Sequence, residues 1–413
     1  MSKIKKTYQF KLKPSRLQVE RLDNALNLCR RLYNACLFQR RISYRDWGIS
    51  LTCYDQIKQI PEIKLNLEEY KNVHSQVLQD VVRRVDNSYK NFFRRVKSGK
   101  ERPGFPRYKP RQRYDSIVYP QSGWKLEGTH LVLSKIGTVK VILSRRIPKN
   151  SKVKTVSIVR DRCGDWFVSF SLEIETNVKP VVGPVPVERA VGIDVGINKL
   201  AVLSNGTYFE NPKFLKGMET RLKRLHRNVS RKVKGSNNRR KANVRLAKAY
   251  RKLARQRNDY LHKISRYLVD NFDLISFEDL KIKNVVRNGH LAKHILDGCW
   301  DMLCRFTSYK AEEAGKIAIK VESKNSTQEC SVCGARHKLS LSERFLNCRH
   351  NNLDFLIDRD LNSGLNVRQR AFVKLGWEPP EVKLAESMPL CPIKLDISMG
   401  YDARIPRALA VGV

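Results

Sequence analysis

Ala190-Val191-Gly192-Ile193-Asp194-Val195-Gly196 is an apolar run carrying a single carboxylate. Its hydrophobicity predicts a buried strand. An acid within such a strand costs free energy unless something compensates it, because Asp and Glu are almost never buried unpaired. After a turn at Ile197-Asn198-Lys199 the apolar pattern returns in Leu200-Ala201-Val202-Leu203. Asp273-Leu274-Ile275-Ser276-Phe277-Glu278 repeats the theme, a short strand ending in a carboxylate. A third acidic element, Asp358-Arg359-Asp360-Leu361-Asn362, opens a predicted helix running through Leu365 and Val367. A salt bridge to one of the many arginines would satisfy any one of these acids alone. Together they suit a hard cation such as Mg²⁺, which takes carboxylate oxygens and keeps waters and substrate phosphates as its other ligands. Two such ions about 3.5–4 Å apart would activate a water and neutralise the leaving 3′ oxygen in a phosphodiester displacement.

Working outward, Met218 to Asp270 reads as a very basic helical stretch, broken near Gly235-Ser236-Asn237-Asn238. Ala247, Tyr250, Ala254, Leu261, Ile264 and Leu268 are expected on its buried side. Upstream, Pro180, Pro184 and Pro186 mark a linker, and Leu131–Glu175 carries recurrent β-branched runs with turns at Gly137 and Asp161–Asp165, as in several antiparallel strands. Ile4, Tyr8, Phe10 and Leu12 share one face of a strand that Pro14 stops. Ser15 and Gln18 then form a capping box for a helix bearing Val19, Leu22, Leu26, Cys29 and Tyr33. A second helix presents Leu78, Val81, Val85, Tyr89, Phe92 and Val96 on one stripe, with Arg83, Arg84, Arg94 and Arg95 on other faces. Between Gly99 and Pro120 lie Phe105, Arg107, Tyr108, Arg111, Tyr114 and Tyr119, a composition suited to stacking on bases and meeting phosphates.

The chain has 413 residues, 81 Lys and Arg against 40 Asp and Glu, a formal net charge of +41, and 41% hydrophobic residues. At about 150 residues per domain this suggests two to three folded domains. It excludes a disulfide mini-protein and a disordered polyelectrolyte, and it points to a polyanionic partner. The sequence has neither an apolar run near membrane-spanning length nor the hydrophobic segment of a signal peptide, so an intracellular protein with no membrane partner is expected. Most of the ten cysteines are scattered singly and read as reduced core thiols. Cys330-Ser331-Val332-Cys333 is half of a zinc knuckle, since thiolates three residues apart reach one tetrahedral ion. Cys348 follows, but Asn351 stands where a second Cys-x-x-Cys would end. His350 or His337 would complete the site; otherwise three sulfurs leave it weak or empty.

These elements in this order resemble the TnpB proteins of bacterial and archaeal insertion sequences, relatives of type V CRISPR effectors. The resemblance rests on Tyr8–Pro14, Cys29–Asn34, Gly104–Tyr108, Gly192–Gly196, Phe277–Leu280, Ser326–Gly334 and Asp358–Asn362. It implies an α/β plus β fold: an RNase H-like (RuvC) nuclease domain with an inserted zinc ribbon, preceded by a β-barrel wedge domain with a helical insertion. The implied boundaries are 1–14 and 114–180 for the wedge, 15–113 for the helical recognition lobe, 187–325 and 353–384 for the nuclease, 326–352 for the zinc-ribbon-like insertion and 385–413 for a tail. It further implies guide RNA and target double-stranded DNA as partners, a prokaryotic cytoplasmic, nucleoid-associated location, and cleavage with Mg²⁺ or Mn²⁺. The matching acids are Asp194, Glu278 and Asp360, with Asp358 second to Asp360; Zn²⁺ would sit at Cys330, Cys333, Cys348 and His350. Arg83, Arg84, Arg94, Arg95, Arg107, Tyr108 and Arg111 are the candidate nucleic-acid contacts. Two features depart from the family: the lost final Cys, and Asn362-Ser363-Gly364 where Asn-Ala-Ala is usual. The expected activity is RNA-guided DNA endonuclease; a guide-dependent DNA-binding protein that does not cut, or a transposase accessory protein, are the alternatives.

Overall fold

The computed structural model describes residues 2–99, 102–281, 289–340, 343–350, 353–382 and 391–393. The chain divides into two compact units, with the break between Thr176 and Asn177. That break lies just ahead of the linker the prolines predict.

In the first unit, β1 (Ser2–Lys13) alternates exposed lysines with buried Tyr8, Phe10 and Leu12. It lies between β7 (Trp166–Thr176) and β5 (Gly137–Ile142), antiparallel to both. With β2 (Ser116–Tyr119), β3 (Trp124–Glu127), β4 (His130–Leu133) and β6 (Ser151–Arg160) they form one seven-stranded sheet in the order β2-β6-β7-β1-β5-β4-β3. It is nearly closed, the coarse form of the expected barrel. Helices α1 (Arg16–Trp47), α2 (Cys53–Lys58), α3 (Ile60–Asn66) and α4 (Ser75–Ser98) are inserted between β1 and β2. Ser15 and Gln18 close the capping box on α1 as the spacing predicts. On α4 the apolar stripe is buried from Val77 to Val85, half-buried at Tyr89 and Phe92, and exposed at Val96, so the expected core face runs out before the helix does.

The second unit is built on a six-stranded sheet in the order β12-β11-β8-β9-β10-β15. Strands β8 (Ala190–Val195), β9 (Lys199–Leu203) and β10 (Thr207–Glu210) form an antiparallel meander. On the other side of β8, β11 (Leu274–Glu278) and β12 (Ile317–Val321) add in parallel, as strands reached through helical crossovers do. Cys391 and Pro392 form β15, a short parallel partner of β10, so the segment expected as a tail contributes to the sheet edge. The basic stretch folds as α5 (Phe214–Ser230) and α6 (Asn237–Asn271), broken where the sequence predicts. The expected stripe holds at Leu261, Ile264 and Leu268, but upstream the buried residues are Ala242, Ala249 and Leu253, while Tyr250 and Ala254 face out. The aliphatic Leu253 takes the buried seat against α5, beside Leu222 and Leu225, while Tyr250 meets α5 at its exposed edge, its hydroxyl 2.7 Å from His226 Nε2. Helices α7 (Gly289–Gly298) and α8 (Trp300–Glu313) precede β12. A hairpin of β13 (Phe345–His350) and β14 (Leu353–Asp358) leads into α9 (Arg359–Lys374), which packs on β8. Among the described residues no helix is long and apolar enough to cross a membrane.

Candidate active site

The register of two parallel strands brings the first two acids together. Ile193 of β8 is the partner of Phe277 of β11, so the next residues, Asp194 and Glu278, stand side by side at the strand ends. Each is 8% exposed. The Ser363 hydroxyl on α9 lies 3.0 Å from Asp194 Oδ1 and 3.1 Å from Glu278 Oε1, and the Ser326 hydroxyl also reaches Glu278 Oε1. Among the described residues neither acid forms an ion pair with Lys or Arg, so the salt-bridge explanation does not apply to them. Burial pushes the Asp194 carboxyl well above its usual range, and the charges of Glu278 and Asp360 push it further. Burial raises Glu278 too, against the hydrogen bonds of Ser326 and Ser363. A buried pair that resists ionisation suits a site completed by a divalent cation.

Asp358 and Asp360, alternatives in the sequence, have different jobs. Asp358 is the N-cap of α9: its Oδ1 accepts from the backbone amides of Asp360 at 2.8 Å and Leu361 at 3.2 Å, and its Oδ2 lies 3.5 Å from Lys199 Nζ. A cap bond of this kind is worth about 1 kcal/mol to a helix. Asp360, in the first turn, has its carboxyl raised by burial and then by the Asp358 charge, with Arg359, Arg344 and Lys199 opposing. Its charge also bears on Asp194. Among the described residues the three acids do not all bring a ligand oxygen within 4.8 Å of one another; the group that meets that limit is Cys330, Cys333 and Cys348. Asp194 and Glu278 are thus a close pair, and Asp360 is the outer member.

Helix α9 is seated against Gly192 of β8. A Cβ on Gly192 would lie 2.0 Å from the Gly364 carbonyl oxygen and 2.4 Å from the Arg368 amide nitrogen. A Cβ on Gly364 would be merely tight, 3.2 Å from the Ser204 amide nitrogen, so it is the bare Gly192 that lets α9 approach and bring Ser363 to the strand-borne acids. The same helix holds the cysteine segment: Asn362 Oδ1 accepts from the Ser331 amide at 2.8 Å, and Asn362 and Asn366 both donate to the Glu329 carbonyl at 2.7 Å.

In the cysteine cluster, Cys333 and Cys348 have their sulfurs 3.4 Å apart. Burial, the Cys333 and Cys330 thiols and their charges push Cys348 up to about 12. At Cys333 burial is outweighed by hydrogen bonds from the Ala335 backbone and the neighbouring thiols, which hold it below the usual thiol range. Three convergent sulfurs fit a soft or borderline cation. The His350 side chain lies outside the described residues; His337 is not in the cluster, though its Nε2 is buried without a hydrogen-bond partner.

The basic candidates divide. Arg84 is spent on the fold: its Nε bonds Asp80 at 2.7 Å and its guanidinium bonds the Ser116 carbonyl and hydroxyl at 3.1 Å. Arg95 reaches the Gly104 carbonyl at 3.4 Å. Arg83, Arg94, Arg107 and Arg111 are exposed. Tyr108 and Phe105 are exposed as well, and Arg41, which the sequence did not single out, lies 5.6 and 5.5 Å from their ring centroids. Stacked arginine and open aromatic faces can receive unpaired bases. Also missed were Ser326 and Lys199; Ser363 had a signal, its departure from the family pattern.

The family model described as "Probable transposase" matches residues 169–289, and that of the "Cas12f1-like, TNB domain" matches 300–367. A Streptomyces pristinaespiralis protein named "Putative RNA-guided DNA endonuclease" is 31% identical over 380 residues, 89% of each chain. InsQ of Escherichia coli K12, with the same description, is 30% identical over 380 residues, 87% of this chain and 90% of that one. A solved structure, the cryo-EM complex of Cas12f1 with sgRNA and target DNA, aligns with a TM-score of 0.51 and 13% identity over 85% of this chain and 82% of that one, a likeness of fold. Similarity of this extent makes the chain a member of the TnpB family.

Proposed function

We propose that this protein is an RNA-guided, divalent-metal-dependent DNA endonuclease whose cutting centre is Asp194, Glu278 and Asp360. The observation carrying the reading is the buried Asp194–Glu278 pair, which forms no ion pair with Arg or Lys among the described residues and is adjoined by Asp360. The strand order supports an RNase H-like (RuvC-type) nuclease unit: an antiparallel meander extended by two parallel strands, with acids at the ends of the central pair. Held there, Mg²⁺ or Mn²⁺ would supply an activated water and charge neutralisation at the scissile phosphate. The chain's own residues make the site selective for that task. Asp194 and Glu278 offer hard oxygens, Ser326 and Ser363 fix their orientation, and Asp358 anchors the helix that carries Asp360. Lys199, Arg344 and Arg359 supply positive charge near the acids, which favours approach of a phosphate strand.

The remaining assignments follow the same reading. Guide RNA and target DNA, the ligands of the Cas12f1 complex, are the proposed partners, with Arg41, Phe105, Arg107 and Tyr108 on a nucleic-acid-facing surface. Residues 326–352 are a zinc-ribbon-like insertion in which Cys330, Cys333 and Cys348 would hold Zn²⁺, His350 adding the fourth donor. The wedge, helical-lobe and nuclease boundaries named above, and a nucleoid-associated place in a prokaryotic cytoplasm, belong to this proposal. The test is cleavage of a target matched to the RNA that co-purifies with the protein. Asp194→Ala is expected to abolish cutting in Mg²⁺ while leaving RNA binding intact, and undiminished cutting would refute the assignment.

A further inference from the structure

We propose that Ser363 is a positioning residue that sets the metal preference of the acidic centre, by holding Asp194 to one ligand oxygen beside a Glu278 that Ser326 holds in the same way. The inference rests on the metal-binding reading of those acids and goes beyond it. Ser363 is fully buried, on a helix whose backbone lies close against β8 at Gly192. The Ser363 hydroxyl lies 3.0 Å from Oδ1 of Asp194 and 3.1 Å from Oε1 of Glu278, with one proton to give to either. Ser326, whose hydroxyl also lies 3.1 Å from the Ser323 carbonyl, adds a second contact to the same Glu278 oxygen. With the Ser326 proton on Glu278 Oε1 and the Ser363 proton on Asp194 Oδ1, one oxygen of each carboxylate is engaged by protein, which leaves Oδ2 and Oε2 for a cation.

Two monodentate carboxylates suit Mg²⁺, which demands near-ideal octahedral geometry and retains several waters. Ca²⁺ gains more from carboxylates that bind through both oxygens, because it accepts six to eight oxygen ligands in irregular geometry. The serine is therefore a device against bidentate chelation. The alanine usual at this family position would leave Asp194 Oδ1 free.

The experiment measures displacement of Mn²⁺, followed by its EPR signal, by Mg²⁺ and by Ca²⁺ from the full-length protein without nucleic acid. Wild type, Ser363→Ala, Ser326→Ala and Asp194→Ala are compared, and thermal melting confirms that each is folded. The ratio of the Mg²⁺ to the Ca²⁺ dissociation constant should rise about tenfold in Ser363→Ala, the scale of an outer-shell ligand effect. It should rise by less in Ser326→Ala, where the Ser363 hydroxyl remains 3.1 Å from Glu278 Oε1. A folded Ser363→Ala protein with the wild-type ratio, or a change of both constants by the same factor, overturns the proposal, because a merely structural serine would not discriminate between the ions. Mn²⁺ binding that is absent from wild type, or unaltered by Asp194→Ala, overturns the metal-site reading as well. The two failures are thus distinguishable.

Discussion

Asp194 shows most plainly how a single residue is asked to sit where folding alone would not put it. In the unfolded chain an aspartate titrates near about 3.9, but here burial and two neighbouring acids raise it. Below the ordinary value both folded and unfolded states are protonated and the site costs nothing. As pH rises above that value the unfolded chain ionises freely while the buried carboxyl resists, a penalty that only the folded state carries, so stability falls until the raised folded value is passed. Asp194→Asn should therefore melt like wild type near pH 4 in EDTA and above it near pH 8, the gap widening as pH rises from the unfolded towards the raised folded titration. Equal melting at both pH values would deny the electrostatic strain. The gain would come with loss of cutting, as expected where a site holds its charge in reserve for a metal.

At the scale of elements, the seat of α9 on β8 decides whether the site exists at all. Gly192→Ala would drive a methyl into the Gly364 carbonyl and the Arg368 amide, backbone atoms that cannot swing aside. Denaturant unfolding should report a loss of about 2–3 kcal/mol, in the range of overpacked cores; a loss below about 0.5 kcal/mol, the size of an ordinary surface change, would mean the helix has room to move. The strands of this unit were legible in the sequence because continuous apolar runs bounded by turns have few other readings. The acid pair was legible for a related reason, an ionisable group inside such a run. Which aspartate caps the helix and which sits in its first turn was not, because Asp358 and Asp360 differ only in where the helix starts. On α6 the buried stripe before Leu261 was displaced from Tyr250 and Ala254 to Ala249 and Leu253, since several apolar residues fit the helical period and the partner helix selects among them. The contacts of Ser326 and Ser363 depend on packing between segments far apart in the chain, which periodicity does not record.

For the whole molecule the excess of 81 basic over 40 acidic residues sets the partner class, and the structure sorts which arginines are free to serve it. Arg107 is exposed, whereas Arg84 is committed to Asp80 and Ser116. In a salt titration of guide-RNA binding, Arg107→Gln should shallow the slope of log K against log salt by about one, the signature of one lost phosphate contact. Arg84→Gln should leave the slope unchanged and lower the melting temperature instead, and the reverse pattern would mean that the two roles are exchanged. The central claim, that Asp194, Glu278 and Asp360 hold divalent cations for strand cutting, is tested most directly by anomalous diffraction from crystals of the protein soaked in Mn²⁺. The account predicts a peak within about 2.0–2.4 Å of a carboxylate oxygen of both Asp194 and Glu278, with Asp360 bound to it or to a second peak about 3.5–4 Å away. Manganese density elsewhere with none at this pair would contradict it.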